Sequence, residues 1–399
     1  MNILFITIGR MESIENHGIY TDLLRAFQKQ GHQIYTVSPY EKRTGLKTEL
    51  VDVNGAKMLH VSIGNITKCS TIEKGISTLQ IESKFRSAIK KYFKGVKFDL
   101  VLYSTPPITF AKVIKYIKKR DGARTYLLLK DIFPQNAVDI GMMTKSGLKG
   151  ILYKFFRKKE KKLYAFSDRI GCMSQANVDY TLKHNPEIPA DKVEVCPNSI
   201  EIQDMSISEQ ERAEMREKYG IPQDKKVFVY GGNLGRPQGI PFLIDCLRSQ
   251  ESNEDSFFLI VGDGTEYSKL EEYFNEAKPK NMKLMKRLPK DDYDKMVSAC
   301  DVGMIFLDHR FTIPNYPSRL LAYMQAGLPV LACTDPNTDI GKFIVENNFG
   351  WWCESNNVSE FNKVVLEASN ADLDTMKKNA FSALENNYTV DRAIEIIMK

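Results

Sequence analysis

Paired cysteines, long hydrophobic runs and low-complexity tracts are all missing from this chain of 399 residues. The seven cysteines are scattered and none sits in a C-x-x-C pair, so the sequence indicates neither a disulfide framework nor a zinc site. No apolar run approaches the roughly 18 residues that a membrane span needs. The apolar stretch at residues 2–9 is short and lacks a basic flank, so we expect no secretory leader. A reducing, cytoplasmic setting fits these absences.

Acidic residues are scarce in the first half of the chain. Residues 1–200 hold 33 Lys and Arg against 18 Asp and Glu, whereas residues 201–399 hold 23 against 32. The first half is therefore the one that favours an anionic surface. With 43% apolar and 27% charged residues the composition is that of a soluble globular protein, and the length predicts two domains.

Short apolar runs alternate with longer amphipathic ones along the whole chain. In the first half we predict strands at residues 3–8, 33–37, 58–63, 100–103, 126–129, 169–173 and 193–196. Helical patterns lie between them, at residues 20–30, 84–93 and 110–119. After a polar stretch, strands are predicted again at residues 227–230, 257–261, 282–285, 302–307 and 329–333. This order predicts an α/β protein of two doubly wound parallel sheets, divided near residues 198–202.

Residues 315–329, which read NYPSRLLAYMQAGLP, predict a short helix followed directly by a buried strand. Ser318 is a good N-cap residue, and Gly327 stands where a helix favours a C′ glycine. The free backbone N–H groups at the helix start, with Arg319 beside them, predict a seat for phosphate. A solvated helix arginine is the alternative interpretation.

A glycine-rich turn, GGNLGRPQG at residues 231–239, follows a strong strand and precedes a helix. Four glycines at such a turn let the backbone approach a ligand closely, and the helix start favours an anion. The turn lacks the Gly-Lys-Ser/Thr ending of a Walker A loop and matches G-x-G-x-x-G poorly, so NAD binding has little support. A plain β–α turn is the alternative.

These two motifs, with VGDG at residues 261–264 and RLP at residues 287–289, resemble the nucleotide-sugar site of retaining GT-B glycosyltransferases of family 4. The resemblance covers essentially the whole chain and implies that Arg236 and Arg319 are catalytic cations that hold the leaving diphosphate. The donor-binding residues that it implies are Gly232, Asn233, Leu234, Gly235, Gln238, Gly239, Asp263, Gly264, Arg287, Leu288, Tyr316, Pro317 and Ser318.

The same resemblance implies two Rossmann-like domains that face each other across a cleft. Residues 1–200 would form an N-terminal acceptor and membrane domain, and residues 201–374 a C-terminal nucleotide-sugar domain. Residues 375–399 would form a C-terminal helix that packs back on the first domain.

The chain departs from the family pattern at two places. Family members usually carry cations where this chain has Asn233 and Gln238, and Arg236 between them is the candidate for the missing charge. The Glu-x7-Glu pair, whose second Glu grips ribose hydroxyls, is replaced by Pro314 and Ala322. The subgroup that makes bacterial surface polysaccharides carries a similar Gly-Asn-x-Gly-x-x-Gln-Gly loop, which identifies the first change as a variant.

On the acceptor side, a predicted strand runs into KDIFPQN at residues 130–136, which places a carboxylate at its carboxyl end. The surface-polysaccharide subgroup has an Asp in a similar setting, so the resemblance makes Asp131 the catalytic residue nearest the transferred sugar. A cap for the following helix is the alternative. The residues expected on the acceptor side are His17, Gly18, Ser104, Thr105, Pro106 and Ser174.

Residues 150–166, GILYKFFRKKEKKLYAF, predict a basic amphipathic helix. Such a helix lies well on an anionic leaflet, at about 1 kcal/mol per basic residue near the surface. A core-facing helix with a solvated basic face is the alternative. We expect Lys154, Arg157, Lys158 and Lys161 to contact the inner face of the plasma membrane. Nucleic acid is disfavoured as the anionic partner, because no zinc-finger, RNP or helix-turn-helix signature is present.

The resemblance thus implies a retaining enzyme that moves a sugar from a nucleoside-diphosphate sugar, UDP-linked, to a polyprenyl-diphosphate-linked saccharide in capsule or O-antigen synthesis. No metal or other cofactor is expected, because the class needs none and Asp291, Asp292 and Asp294 are placed to begin a helix. A UDP-sugar 2-epimerase, which shares the architecture, and a non-catalytic scaffold, suggested by the departures, are the alternatives.

Overall fold

A computed structural model describes the backbone of residues 1–399 and every side chain except those of residues 71, 72, 148 and 149. The chain divides into two compact units. The first unit is Met1–Glu201 with Val390–Lys399, and the second is Ile202–Thr389. Each unit is built on one sheet.

The sheet of the first unit has eight strands in the order β3-β4-β2-β1-β5-β6-β7-β8, all parallel except the antiparallel pair β3 and β4. The strands are β1 (Asn2–Ile6), β2 (Gln33–Glu41), β3 (Glu49–Val53), β4 (Ala56–Ile63), β5 (Leu100–Ser104), β6 (Arg124–Leu129), β7 (Arg169–Cys172) and β8 (Val193–Val195). The helices are α1 (Thr21–Lys29), α2 (Thr71–Tyr92), α3 (Ala111–Asp121), α4 (Gln135–Asp139), α5 (Gly147–Phe166), α6 (Gln175–His184) and, from the chain's end, α15 (Val390–Met398). Successive side chains of β1 enter two different cores, as expected for a parallel sheet covered on both faces.

The sheet of the second unit has six parallel strands in the order β11-β10-β9-β12-β13-β14. The strands are β9 (Lys226–Asn233), β10 (Ser256–Asp263), β11 (Met282–Met285), β12 (Val302–Phe306), β13 (Val330–Thr334) and β14 (Gly350–Glu354). The helices are α7 (Glu209–Lys218), α8 (Ile240–Ser249), α9 (Tyr267–Ala277), α10 (Lys290–Ser298), α11 (Arg319–Gln325), α12 (Ile340–Glu346), α13 (Val358–Asn370) and α14 (Leu373–Asn387). The strand order reverses between β9 and β12, and open parallel sheets bind ligands at the carboxyl edge of such a switch point.

The predicted fold class is confirmed, and each predicted strand overlaps an observed one. Two strands were missed, β3 and β14. β3 is mostly exposed or half-buried, so it lacks the continuous apolar run that marked the others. Its hairpin to β4 turns through Asn54 (φ 51°) and Gly55 (φ 84°), and an Asn-Gly pair between two strands is a signal that would have revealed it.

The prediction of one continuous C-terminal helix at residues 375–399 is wrong, but the predicted return of the chain's end to the first unit holds for residues 390–399. α14 ends at Asn387, and α15 begins at Val390 after a break. At the break, the backbone of Tyr388 leaves the helical conformation (φ −129°), and its buried ring packs edge-on against Phe343. α14 belongs to the second unit, whereas α15 joins the core of the first unit beside α1.

Candidate functional site

The turn after β9 is shaped by two glycines and by one pair of amide side chains. Gly232 (φ 115°) and Gly239 (φ 59°) adopt left-handed backbone that favours glycine. Between them Asn233 Nδ2 donates to Gln238 Oε1 at 2.9 Å, and Gly235 N donates to the same oxygen at 3.1 Å. The two side chains that stand in place of the expected cations are therefore bonded to each other and hold the turn in shape.

The end of β10 packs directly on this turn. A Cβ on Gly262 would lie 2.0 Å from the Gly232 carbonyl oxygen, and one on Gly264 would lie 2.4 Å from that of Leu234. Leu234 N donates to the Asp263 carbonyl at 2.9 Å, while the exposed Asp263 carboxylate accepts from Gly264 N at 2.8 Å. The glycines of the VGDG motif thus allow two turns to pack, and they bring Asp263 beside the glycine-rich turn.

Arg319 begins α11 and reaches back to the same turn. Its guanidinium carbon lies 4.2 Å from the centre of the Tyr230 ring, a cation–π contact. Its Nη2 lies 3.5 Å from the place that a Cβ on Gly232 would take. Nη1 is buried and has no hydrogen-bond partner among the described residues. Because an unpaired buried donor costs about 1–3 kcal/mol, the site favours a ligand that brings an acceptor to this nitrogen.

Two further tyrosines, which the sequence did not single out, fix the strand end beside Arg319. The Tyr323 hydroxyl accepts from Gly231 N at 3.1 Å. The Tyr293 hydroxyl lies only 1.7 Å from where a Cβ on Gly231 would stand. Burial raises the pKa of Tyr293, and it raises the pKa of Tyr323 to about 12, so both rings are neutral at pH 7. A side chain larger than that of Gly231 would collide with Tyr293. Among Tyr293, Tyr323 and Arg319, only Arg319 is charged.

Arg236 lies in the glycine-rich turn, but its guanidinium is also close to the carboxylate of Glu266. Its Nε is 3.5 Å from Glu266 Oε1, and Glu266 also pairs with Lys269. The Arg236 side chain is 56% exposed, and a diphosphate that binds it would have to compete with Glu266.

In the loop after β11, Arg287 is exposed and Leu288 is half-buried.

The two ends of α11 differ in how well they were predicted. Ser318 occupies the N-cap position of α11, as predicted, but its side chain makes no capping hydrogen bond. The backbone of Ser318 is already helical, and its carbonyl accepts from Leu321 N at 3.1 Å. The prediction for Gly327 is confirmed, since it is left-handed (φ 66°) and Leu328 N donates to Tyr323 O at 2.8 Å. That pair of features is a Schellman motif, which satisfies the last carbonyl groups of the helix.

Near α11, the hydroxyl of Tyr316 forms a 2.6 Å hydrogen bond with that of Tyr388 in the same unit, and Pro317 is half-buried.

Asp335, which the sequence did not single out, follows β13 at the same carboxyl edge as the turn. Its Oδ1 accepts from Asn337 N at 2.9 Å, whereas Oδ2 has no partner among the described residues. Burial raises the pKa of Asp335 to about 6. The edge therefore holds a second buried group with an open hydrogen-bonding position.

In the first unit, Asp131 follows β6 and is held by Asn136, whose Nδ2 donates to both carboxylate oxygens at 2.7 and 2.8 Å. The alternative that Asp131 caps the next helix is wrong, because the N-cap of α4 is Pro134 and no side chain bonds there. Burial raises the pKa of Asp131 to about 6, although Asn136 opposes the shift. Burial also lowers the pKa of the neighbouring Lys130 to about 8.

Thr105 connects the ends of β5 and β6. Its Oγ1 accepts from Lys130 N at 3.1 Å and from Asp131 N at 3.2 Å, so Thr105 and Asp131 come together at one edge. Of the other residues expected on the acceptor side, Ser104 and Ser174 are buried and Pro106 is exposed.

The loop before α1 is organised by Asp22 and Arg25, both buried. Gly18 N donates to Asp22 Oδ1 at 3.0 Å, and His17 Nδ1 lies 3.1 Å from Arg25 Nη2. Ligand atoms of His17, Asp22 and Glu201 lie within 4.8 Å of one another, a spacing that would suit a metal. Arg25, however, donates to Asp22 at 2.6 Å and to Glu201 at 2.9 Å. A guanidinium therefore holds these carboxylates together, and we assign no metal to them.

α5 exposes both basic and apolar side chains. Lys154, Lys158 and Lys161 are exposed, and Arg157 is half-buried. Ile151, Leu152 and Phe155 are 67%, 48% and 40% exposed. Within the part of the chain that the structure describes, no helix has the length and hydrophobicity needed to cross a membrane.

Comparison with known proteins gives matches for both halves of the chain. Residues 19–204 match the model of Glycosyltransferase Family 4, and residues 211–382 match that of Glycosyl transferases group 1. The chain is 25% identical over 312 residues to "Probable glycosyltransferase WbjE" of Pseudomonas aeruginosa, covering 78% of this chain and 76% of that protein. It is 24% identical over 243 residues to the UDP-Gal:alpha-D-GlcNAc-diphosphoundecaprenol alpha-1,3-galactosyltransferase of Escherichia coli, covering 57% and 58%.

The fold is also shared with solved structures. HepE of Anabaena, in complex with UDP-glucose, superposes with a TM-score of 0.70 at 15% identity, covering 100% of this chain and 98% of that one. Two parallel-sheet units with these matches define the class, a GT-B glycosyltransferase. The chain belongs to the glycosyltransferases in which a family 4 domain precedes a group 1 domain.

Proposed function

We propose that this glycosyltransferase moves a sugar from a UDP-linked donor to a polyprenyl-diphosphate-linked saccharide, with retention of configuration, in capsule or O-antigen synthesis. The name of the Escherichia coli relative supports both the donor and the acceptor, since it specifies UDP-Gal and a diphosphoundecaprenol saccharide. HepE, which shares the fold, was solved with UDP-glucose.

The observation that carries the proposal is the open position on Arg319. Its buried Nη1 lacks a protein acceptor, and its guanidinium is held against Tyr230 and close to Gly232. A diphosphate oxygen at this point would accept a charge-assisted hydrogen bond and could approach the backbone of the turn. The N–H groups at the start of α8, which follows Gly239, would face the same anion.

In the proposed reaction the bond between C1 of the sugar and the diphosphate oxygen breaks, and its electron pair stays on that oxygen. The acceptor hydroxyl oxygen forms the new bond to C1 from the same face, and its proton passes to the departing diphosphate. The charge that grows on the diphosphate is what Arg319, Arg236 and the turn would stabilise. We propose that no metal is needed, because these cations and N–H groups meet that requirement.

In the first unit, we propose that Asp131 orients the transferred sugar. Carboxylate oxygens accept hydrogen bonds from sugar hydroxyls, and Asn136 fixes both oxygens of Asp131 in place. With a pKa of about 6, Asp131 is mostly charged at pH 7 and above. Keeping a carboxylate charged in a half-buried, desolvated position costs stability, which is expected of a functional group and not of a packing one.

We further propose that the enzyme lies peripherally on the cytoplasmic face of the plasma membrane through α5. The exposed apolar side chains Ile151 and Phe155 would enter the interface, and Lys154 and Lys158 would meet anionic headgroups. We propose no role for nucleic acid.

The test is UDP release from a panel of UDP-sugars, with and without a polyprenyl-diphosphate saccharide in detergent. The proposal predicts release that depends on the acceptor and on one donor. Conversion of a donor without acceptor would instead identify a 2-epimerase. Release by GDP- or dTDP-sugars alone would contradict the UDP assignment, and an absence of both turnover and donor binding would contradict the proposal as a whole.

A further inference from the structure

Two adjoining depressions lie along α5 in the first unit. The first, of about 510 Å³, is lined by the basic flank of the helix together with Tyr153, Ala165 and Glu187; the basic residues are Lys154, Arg157, Lys158, Lys161 and Lys162. The second, of about 300 Å³, shares Tyr153, Arg157 and Lys161 with the first and extends to Ile132, the residue after Asp131. Together they form a trough, here called the α5 groove, that leads from exposed lysines toward the carboxyl end of β6.

The charges in the α5 groove are divided into paired and unpaired ones. Arg157 pairs with the buried Glu160, and Lys161 pairs with Glu187 at 2.9 Å. Among the described side chains, no carboxylate lies within ion-pair distance of Lys154, Lys158 or Lys162. These three lysines follow one another at i, i+4 spacing, where like charges repel and destabilise a helix. An anion bound between them would remove the repulsion.

The inner part of the α5 groove is polar and aromatic. The rings of Tyr180 and His184 are stacked at 3.9 Å, and the Tyr164 hydroxyl donates to Glu160 at 2.8 Å. Asn185, whose Oδ1 accepts from Arg157 at 2.6 Å, closes the depression. Aromatic faces beside hydroxyl and amide groups suit a saccharide better than a hydrocarbon chain.

An apolar flank adjoins the outer, basic part. Ile151 and Phe155 each precede a groove lysine by three residues, so the two kinds of side chain are neighbours on one helix. An amphiphile could therefore meet hydrocarbon-like, cationic and polar side chains on α5.

We propose that the α5 groove binds the acceptor through its diphosphate, between Lys154, Lys158 and Lys162. The prenyl chain would run over Ile151 and Phe155, and the saccharide would extend through the inner depression toward Asp131. This inference rests on the proposed function for the identity of the acceptor. It adds that the lysines recognise the ligand's diphosphate itself and not only the membrane surface.

The first test needs no turnover. The protein is titrated with geranyl diphosphate by calorimetry in saturating UDP, which occupies the donor diphosphate site, and in the absence of vesicles. The inference predicts saturable binding that weakens at least tenfold in Lys154→Gln/Lys158→Gln. It also predicts no comparable binding of geraniol, which lacks the diphosphate. The matched control is Lys94→Gln/Lys119→Gln, which removes two exposed lysines of the same unit outside the groove and should leave binding unchanged.

The second test separates acceptor recognition from membrane attachment. With a short-chain, water-soluble prenyl-diphosphate saccharide, the groove variant should raise the KM for acceptor at least tenfold while kcat and the KM for donor stay within twofold. Ile151→Ser/Phe155→Ser should lose binding to anionic vesicles far more than binding of the soluble acceptor. Unchanged affinity for geranyl diphosphate in the groove variant, or no binding by the wild type, would overturn the inference. If the wild type binds geranyl diphosphate but transfers no sugar, the proposed function fails while this site stands.

Discussion

The half-buried carboxylate of Asp131 should make the first unit less stable at neutral pH than it would be with an amide there. Burial raises its pKa from the ordinary value of 3.8 to about 6. The native state therefore binds this proton more tightly than the unfolded state does. The resulting penalty is fully present above pH 6 and disappears as the pH falls through the range between the two pKa values. Its full size is about 3 kcal/mol, since each pKa unit is worth about 1.4 kcal/mol.

Asp131→Asn removes this penalty and loses one hydrogen bond from Asn136. The preference of that bond for the charged carboxylate is already contained in the pKa of Asp131, so the pH dependence reports the net effect of the charge. The difference in unfolding free energy between the variant and the wild type should shrink by about 2 kcal/mol from pH 7.5 to pH 4.5. Sugar transfer by the variant should fall sharply at pH 7.5, because the proposed sugar-orienting charge is gone.

Differential scanning calorimetry at both pH values measures the first effect, with transfer assays for the second. Both tryptophans, Trp351 and Trp352, belong to the second unit, so their fluorescence reports that unit as an internal reference. Asp179→Asn, which neutralises an exposed carboxyl on α6, is the matched control for charge. A stability difference that is the same at pH 7.5 and 4.5 would refute the claim that Asp131 is desolvated.

Two further substitutions test the glycine-rich turn. Gly262→Ala places a Cβ 2.0 Å from the Gly232 carbonyl oxygen, so it should destabilise the second unit by about 1–3 kcal/mol, measured as an earlier unfolding transition in tryptophan fluorescence. The control Gly75→Ala, in open space on α2, should not destabilise the first unit. Equal effects of the two substitutions would contradict the packing argument. Gln238→Ala leaves the side-chain amide of Asn233 and the backbone N–H of Gly235 without their acceptor. The KM for the donor should therefore rise severalfold, with little change in the KM for the acceptor. An unchanged KM for the donor would show that the turn does not position the donor.

The strands and the Arg319 motif were predictable because their signals are local. Buried strands of a parallel sheet are continuous apolar runs, and the end of α11 follows from Gly327 in a Schellman motif. β3 lacked such a run because its side chains are largely exposed. The break before α15 has no glycine or proline to mark it, and Tyr388 at the break packs on a helix distant in sequence.

Several partners of the site residues were not predictable, because they come from segments far apart in sequence. The Tyr293 hydroxyl lies against Gly231 only because α10 packs on β9. Glu266 takes part of the charge of Arg236 from thirty residues away. Asp335 looked like an ordinary residue after a strand until its burial and open Oδ2 were seen. A one-dimensional pattern identifies a cation, but it does not show what competes for that cation.

The most direct test of the central claim is acceptor-dependent turnover of Arg319→Ala, compared with the exposed-arginine control Arg86→Ala. Removing one preorganised donor from developing charge typically costs about 10²–10³ in kcat, so we expect a loss of that size with tryptophan fluorescence and the unfolding midpoint preserved. Arg86→Ala should retain wild-type turnover. Near-normal turnover of Arg319→Ala would contradict the claim that this guanidinium stabilises the departing diphosphate.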